Sequence, residues 1–591
     1  MNYCSGCHAP ALLLSNESEH EVATAGDDLV AKSNIGCNAC HAVKRINNTI
    51  GNGDYVLQRP RSYEHMSSDV EWYRRLFAFK LHVDPDPHKE FFLKPFMTRQ
   101  NSEFCSSCHK LNSAIRQTQH LSIGGMNNYD SWQKSAFAGE RIDAFKHVRE
   151  HDCADCHMPR MRMDDPAAKR GTVHDHSFKY NILSQAGDDA DDPIVQKYKI
   201  NPIQLDVVAF QNLSKDGAPA PVNYFDEVKV NITPGSAVRM EVLVQSTEVG
   251  HDFPGRYSES METWLEISVR DQQDRMVFQS GAIDDFNRID EKAHRWGTVY
   301  RDRKGNIVTW PHGFSASDIS YNHRIQPLTS EMVPYEFKIP ENCGSELYIS
   351  AQIKQRRRQT NEAELLTLKG TIATAVNGMH SGQYVDTHKI IAETEVKVSL
   401  PEQRRLNRQD DIPNSGDRYD IWFNYGIALY LKGEWDEAER AFLQAAKLRS
   451  TDVHLWLNLA RTALDKNDFE SMEIYLEKSQ SIDPDLNKIT YYRALMAEKQ
   501  GDLDSAVTLL RDIRKDFYAD RVFLLKLAEI QMKRNYYKRA GKWYKKILEF
   551  APDDLDAHRG LREVYKNTGN DEGYQNEDKL VRALEKALLH E

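Results

Sequence analysis

"CADCHMPR" spans residues 153–160 and sets two cysteines around a two-residue gap, with a histidine directly after the second. Cys-x-x-Cys alone suits a redox pair or half of a zinc site, whereas Cys-x-x-Cys-His reads as a point of c-type haem attachment. The two thiols add across the porphyrin vinyl groups, and the histidine that follows falls under the iron as its proximal ligand. The unit occurs four times: Cys4, Cys7 and His8; Cys37, Cys40 and His41; Cys105, Cys108 and His109; Cys153, Cys156 and His157. Eight of the nine cysteines are used in this way, which leaves Cys343. A disulfide scaffold would scatter its cysteines, and a zinc protein has no reason to place histidine after every second one. Four covalently attached haems c are therefore expected.

The other histidines point the same way. Residues 1–180 hold thirteen of the 22 histidines, against three in the last 191 residues. Six-coordinate haem iron explains the crowding, because each iron needs a second axial ligand. With four histidines proximal, nine remain: His20, His65, His82, His88, His120, His147, His151, His174 and His176.

The bulk properties set limits. A chain of 591 residues is too long for one core, and two to four domains are expected. Its 40% hydrophobic and 28% charged residues are an ordinary globular composition. A net charge of −11 argues against a nucleic-acid partner. No apolar run approaches the roughly 18 residues of a membrane-spanning helix, so no transmembrane segment is expected. Covalent haem attachment in bacteria takes place outside the cytoplasm, which places the protein in the periplasm or the extracellular space. No export signal precedes Cys4, and the natural N-terminus is expected to lie upstream, through a start placed late or a truncated chain.

Three regions follow one another. Residues 1–180 are the tetrahaem region, mostly irregular and α, with porphyrins in place of an apolar core. Residues 200–400 alternate apolar and polar positions, as in "AVRMEVLVQS" and "TWLEISVRD". Such period-two runs between turn signals predict a β-sandwich-like domain, with Val238, Met240, Val242 and Val244 on one face. Residues 401–418 are a polar, breaker-rich linker. Residues 419–591 carry a repeat: Gly426, Ala460, Ala494 and Ala528 are spaced by 34, as are Ala438, Met472, Ala506 and Ala540. That is the tetratricopeptide period, and it predicts an α-solenoid of four repeats with a degenerate helix pair after them.

With these residues in view, the chain resembles the tetrahaem cytochrome c of ammonia oxidisers, in the branch that carries a C-terminal tetratricopeptide repeat domain. The resemblance rests on "NIGCNACHAV" with "NGDYVL", "DPHKEFFLKPFMTRQNSEFCSSCH", "NNYDSWQKSAFAG", and "CADCHMPR" with "HDHSF". "TEVGHDFPGRYSESMETWLEISVRD" resembles the β domain that follows the haems, although Gly255 directly follows Pro254 where relatives carry Pro-Thr-Gly. The resemblance implies mostly bis-histidine, low-potential haems, with His20, His88 and His176 as distal ligands. His120, His65 and His174 compete for the remaining haem. His251 either reaches a haem from the β domain or makes a structural hydrogen bond under its turn. The implied function is electron transfer to redox partner proteins, with a protein or peptide ligand docked on the repeats. The alternative is a multihaem oxidoreductase acting on a small nitrogen or sulfur compound at one open haem.

Overall fold

The computed structural model describes residues 7, 35–51, 53–58, 68–83, 94, 97, 101–110, 127–164, 168, 170–176, 202–213, 222–224, 232–255, 261–285, 288–308, 316–357, 388–400 and 417–588. The first region is built from short pieces. Helix α1 (Cys37–His41) leads into a hairpin of β1 (Val43–Ile46) and β2 (Tyr55–Leu57). Helices α2 (Glu71–Val83), α3 (Asn101–His109), α4 (Asn128–Lys134) and α5 (Cys153–His157) follow. A ribbon of β3 (Arg160–Arg162) and β4 (Thr172–His174) closes the region. Helix α5 is one turn long and is held at its start by Asp152. The Asp152 carboxylate accepts from the Asp155 amide at 2.8 Å, and the Asp155 carboxylate accepts from the Asp152 amide at 3.0 Å. On α2, Trp72, Leu76, Phe79 and Val83 fall on one helical face and stand exposed.

The middle region is two packed antiparallel sheets, as the alternation predicts. Its strands are β5 (Ile203–Asn212), β6 (Val222–Tyr224), β7 (Ala237–Ser246), β8 (Met261–Asp271), β9 (Met276–Ser280) and β10 (Arg295–Asp302). Strands β11 (Ile307–Val308), β12 (Ala316–His323), β13 (Ser330–Lys338), β14 (Glu346–Arg357) and β15 (Lys389–Ser399) complete it. One sheet has the order β13-β7-β5-β6. The other, of seven strands, runs β11-β10-β8-β14-β15, with β12 on β10 and β9 on β8. Val238, Met240, Val242 and Val244 of β7 and Leu265, Ile267 and Val269 of β8 lie in the single core between the sheets. Cys343 is buried in that core and is structural.

The C-terminal region is ten helices in antiparallel pairs: α6 (Arg418–Leu431), α7 (Trp435–Leu448), α8 (Val453–Asp465), α9 (Phe469–Ile482), α10 (Asn487–Lys499), α11 (Leu503–Ile513), α12 (Arg521–Lys533), α13 (Tyr537–Phe550), α14 (Leu555–Thr568) and α15 (Asp571–Leu588). The small residues of the repeat sit where paired helices touch. A Cβ on Gly426 would come within 2.6 Å of the Phe442 ring. The repeats do not stand apart from the sandwich. Tyr419, Trp422 and Tyr425 of α6 share a buried cluster with Val208 and Ala209 of β5, Leu243 of β7 and Met332 of β13. Tyr425 also donates to Glu241 of β7 at 2.6 Å.

The inner face of the repeats grips the first region. Residues 140–147 lie against α6, α8, α10 and the start of α12. Asn458 donates to the Phe145 carbonyl at 2.8 Å, and Arg461 donates to the Asp143 carbonyl while its guanidinium covers the Phe145 ring, 4.3 Å from the centroid. Lys146 donates to Asn424, which precedes Asn458 by one repeat. Lys488 lies 3.9 Å from Glu140, and His147 stacks on His454 with centroids 6.0 Å apart. Asp520 accepts from the Ile142 amide at 2.9 Å, and the Ile142 side chain is fully buried among Tyr491, Phe523 and their neighbours. Over these repeats, the peptide on the inner face is the chain's own.

A second anchor lies at the far end of the array. Lys110, directly after His109, is buried and pairs with Asp130 at 2.7 Å and with Asp553 at 2.8 Å. Burial opposes its charge, but the two carboxylates more than compensate and hold its ammonium above the usual lysine range. Gly51, at φ +86°, packs so close that a Cβ would stand 2.1 Å from the Lys110 carbonyl oxygen.

Replacing Ile142 by Ala removes the buried plug of the grip at a cost of about 2–4 kcal/mol. Hydrogen exchange should then rise across 140–147 while α6–α13 stay protected. Unchanged exchange in that segment would contradict the grip.

Candidate functional site

In each of the short helices α1, α3 and α5 the two cysteines are three residues apart and the histidine follows, so all three point from one helical face. The three helices bring their thiols together. Cys105 of α3 lies beside Cys153 of α5, and Cys40 of α1 lies near Cys108. Cys7 joins the same cluster, 4.0 Å from the Ser107 carbonyl oxygen. The contact with Cys153, followed by burial, pushes the Cys105 thiol up. Burial, reinforced by Cys108 and Cys37, pushes Cys40 up to about 11, and burial likewise takes Cys156 to about 11. The contact with Cys105 holds the Cys153 thiol below its usual range. Among the described residues, no motif cysteine belongs to a cluster with metal-ligand spacing, as a zinc site would require.

His157 faces a histidine from another domain. The rings of His157 and His251 are parallel within 3°, with centroids 6.3 Å apart. His251 sits in the turn after β7, and this turn is fastened on both sides. Phe253 and Ile325 exchange two backbone hydrogen bonds of 2.8 Å, and the Asp252 amide donates to Ser131 of α4 at 3.2 Å. Phe137 and Leu328 pack together beside it. The Nδ1 of His251 lies 3.0 Å from the Asp252 carbonyl oxygen, which favours the tautomer with the proton on Nδ1 and a free Nε2. Burial, with His251 alongside, lowers His157 to about 4, and burial lowers His251 as well. Both rings are therefore neutral, the form in which imidazole binds metal. Gly255 is required here, because a Cβ would stand 2.5 Å from the His251 ring.

A second pair joins two elements of the first region. His41 and His176 have centroids 6.3 Å apart and planes inclined by 32°. His176 Nδ1 is 2.8 Å from the His174 carbonyl oxygen, again leaving Nε2 free. His174 turns its own Nδ1 to the Met158 carbonyl oxygen at 2.6 Å.

These spacings can be tested against a shared metal. Two imidazoles bound on opposite sides at about 2.0–2.1 Å, with about 1.1 Å more from each nitrogen to its ring centre, set their centroids roughly 6.2–6.4 Å apart. Both pairs meet that spacing, so the residues present fit a group coordinated by two histidines. His176 follows the fourth motif in the chain but faces the histidine of the second. Of the two readings open for His251, a hydrogen bond within its own turn is the one its Nδ1 contact supports. Cys4, His8, His20, His65, His88 and His120 lie outside the described residues.

Residues 419–452, 453–486 and 491–554 match tetratricopeptide repeat families. No curated protein matches the chain. Among solved structures, a penta-heme cytochrome c552 from Thermochromatium tepidum is 16% identical over 67% of this chain and 83% of that one, with a TM-score of 0.37. The MamA protein is 20% identical over 29% of this chain and 96% of its own, with a TM-score of 0.25. A MamA RS-1 double mutant gives 15%, 30%, 98% and 0.26 on the same measures. The helices between residues 419 and 554 are thus tetratricopeptide repeats, a family that commonly binds protein partners.

Proposed function

We propose that the chain is a multihaem c-type cytochrome of the periplasm or extracellular space that passes electrons to redox partner proteins. The observation that carries this reading is the His157–His251 pair. Cys153 and Cys156 would hold the porphyrin of the fourth site, with His157 proximal and His251 distal. Cys37 and Cys40 would hold that of the second, with His41 proximal and His176 distal. Cys105 and Cys108 with His109, and Cys4 and Cys7 with His8, would serve the other two. A haem held in this way supplies a one-electron iron couple, whose potential is set by its axial ligands, burial and hydrogen bonding.

The chain's own residues fit carriage rather than substrate chemistry at the fourth site. With His157 and His251 as its two axial ligands, the fourth iron would have no open face for a small nitrogen or sulfur compound. The backbone carbonyl of Asp252 orients one imidazole, and burial keeps both uncharged. The repeats act as a scaffold that fixes the attachment helices against the sandwich, through residues 140–147 and Lys110. The bare apolar face of α2 is the kind of surface that a porphyrin covers.

The reading is tested in a host that matures c-type cytochromes. Replacing His251 by Ala should turn one haem high-spin and let it bind carbon monoxide when reduced, with all four haems still attached. A spectrum indistinguishable from wild type would sink the assignment of His251. Replacing Cys153 and Cys156 by Ala should lower the intact mass by one haem. A graded check comes from Gly255→Ala, which crowds the His251 ring without removing it. It should give a mixture of high- and low-spin iron, and a purely low-spin spectrum would count against the tight turn.

A further inference from the structure

Away from the attachment helices, one cluster has the make-up of a metal site. His294 immediately precedes β10, His323 ends β12, and Glu331 is the second residue of β13. The first two belong to the seven-stranded sheet and the third to the four-stranded one, so the cluster bridges the sheets at their margin. The Nε2 atoms of His294 and His323 lie 3.0 and 3.1 Å from the same oxygen, Glu331 Oε1. All three ligand atoms fall within 4.8 Å of one another.

The geometry points to a bound ion, and we propose that His294, His323 and Glu331 form a binding site for a divalent transition-metal ion of the zinc class. Three features carry this. First, the two imidazoles are nearly perpendicular, at 81°, with centroids 5.2 Å apart. Two imidazoles on one metal at a tetrahedral angle set their centroids about 5.2 Å apart. Second, Nε2 of His294 is buried and, although 3.0 Å from Oε1, lacks the alignment of a hydrogen bond. That is how two ligands of one ion stand to each other. Third, the surrounding groups orient the ligands from behind. Trp296 Nε1 donates to Glu331 Oε2 at 2.8 Å and leaves Oε1 for the ion. His323 Nδ1 is 3.2 Å from both the Arg295 carbonyl oxygen and the Tyr321 hydroxyl, and a proton held there leaves Nε2 for the ion.

The ligand types decide the class of ion. Two imidazoles and one carboxylate suit zinc and its transition-metal neighbours, while calcium and magnesium take oxygen ligands. Three protein ligands complete only part of a zinc shell, so water or a small exogenous ligand takes the remaining position. The three side chains keep about a quarter to a third of their surface exposed, at 26%, 34% and 23%, which gives an ion a way in. No haem is needed for the site to load, so its test stands apart from the electron-transfer reading.

The test uses the full matured chain, equilibrated with zinc, freed of loose metal and analysed for zinc by mass spectrometry against protein concentration. Wild type should retain one zinc per chain that His323→Ala and Glu331→Gln each fail to retain. Trp296→Phe, which leaves every ligand in place, should weaken zinc binding about 10–100-fold. Circular dichroism confirms that each variant is folded. The proposal is overturned if wild type retains no zinc, which would make the cluster an ion pair only. It is equally overturned if Glu331→Gln retains as much zinc as wild type.

Discussion

Two of the three described helices that carry Cys-x-x-Cys-His are a single turn long, and among the described residues much of what holds them comes from the other two regions. Helices α1 and α5 are five residues each, far below the length at which an isolated helix is stable in water. The apolar side chains they bury are small, Ala39 and Ala154. Support comes from outside. The repeats take residues 140–147 on their inner face, Lys110 ties the end of α3 to Asp553, and the sandwich lays the turn at His251 over α4. The repeat array in turn rests on the sandwich through Tyr419, Trp422 and Tyr425. The three regions brace one another in a ring of contacts.

Burial at these contacts sets the charge state of the groups involved. Lys110 stays charged because two carboxylates meet it, whereas Lys146, with no ion-pair partner at such range among the described residues, is pushed down to about 8 by burial. Asp520 is pushed up by burial and is useful as an acceptor, since it takes the amides of both Ile142 and Phe523. His157 and His251 are kept neutral by the same effect. Desolvation thus opposes charge at the grip and, at the histidine pair, favours the neutral ligand form.

Much of the fold is legible in the amino-acid order. The 34-residue period places the repeat helices, because each repeat must bury the same small and large residues against its neighbours. Alternation along β7 and β8 picks out the buried faces of the sandwich. The grip is not legible. "ERIDAFKH" at 140–147 has the look of a polar loop, and only the recurrence of asparagine at 424 and 458 hints that this face of the repeats is built to hold another segment. Pairing of histidines is hidden for a similar reason. Chain order puts His176 after the fourth motif, yet the β3–β4 ribbon carries it back to His41. His294, His323 and Glu331 come from, or directly beside, three strands in two sheets and share no spacing that a motif could record.

The central claim is that His157 and His251 close one iron between two domains. Electron paramagnetic resonance of the oxidised, fully matured wild-type chain tests it most directly, since spin state reports ligand number and the rhombicity of a low-spin signal reports how the two imidazole planes are aligned. The account predicts a rhombic low-spin signal from near-parallel imidazoles that disappears when His251 is replaced by Ala. A wild-type spectrum in which that signal is missing, or in which it survives the loss of His251, would contradict it.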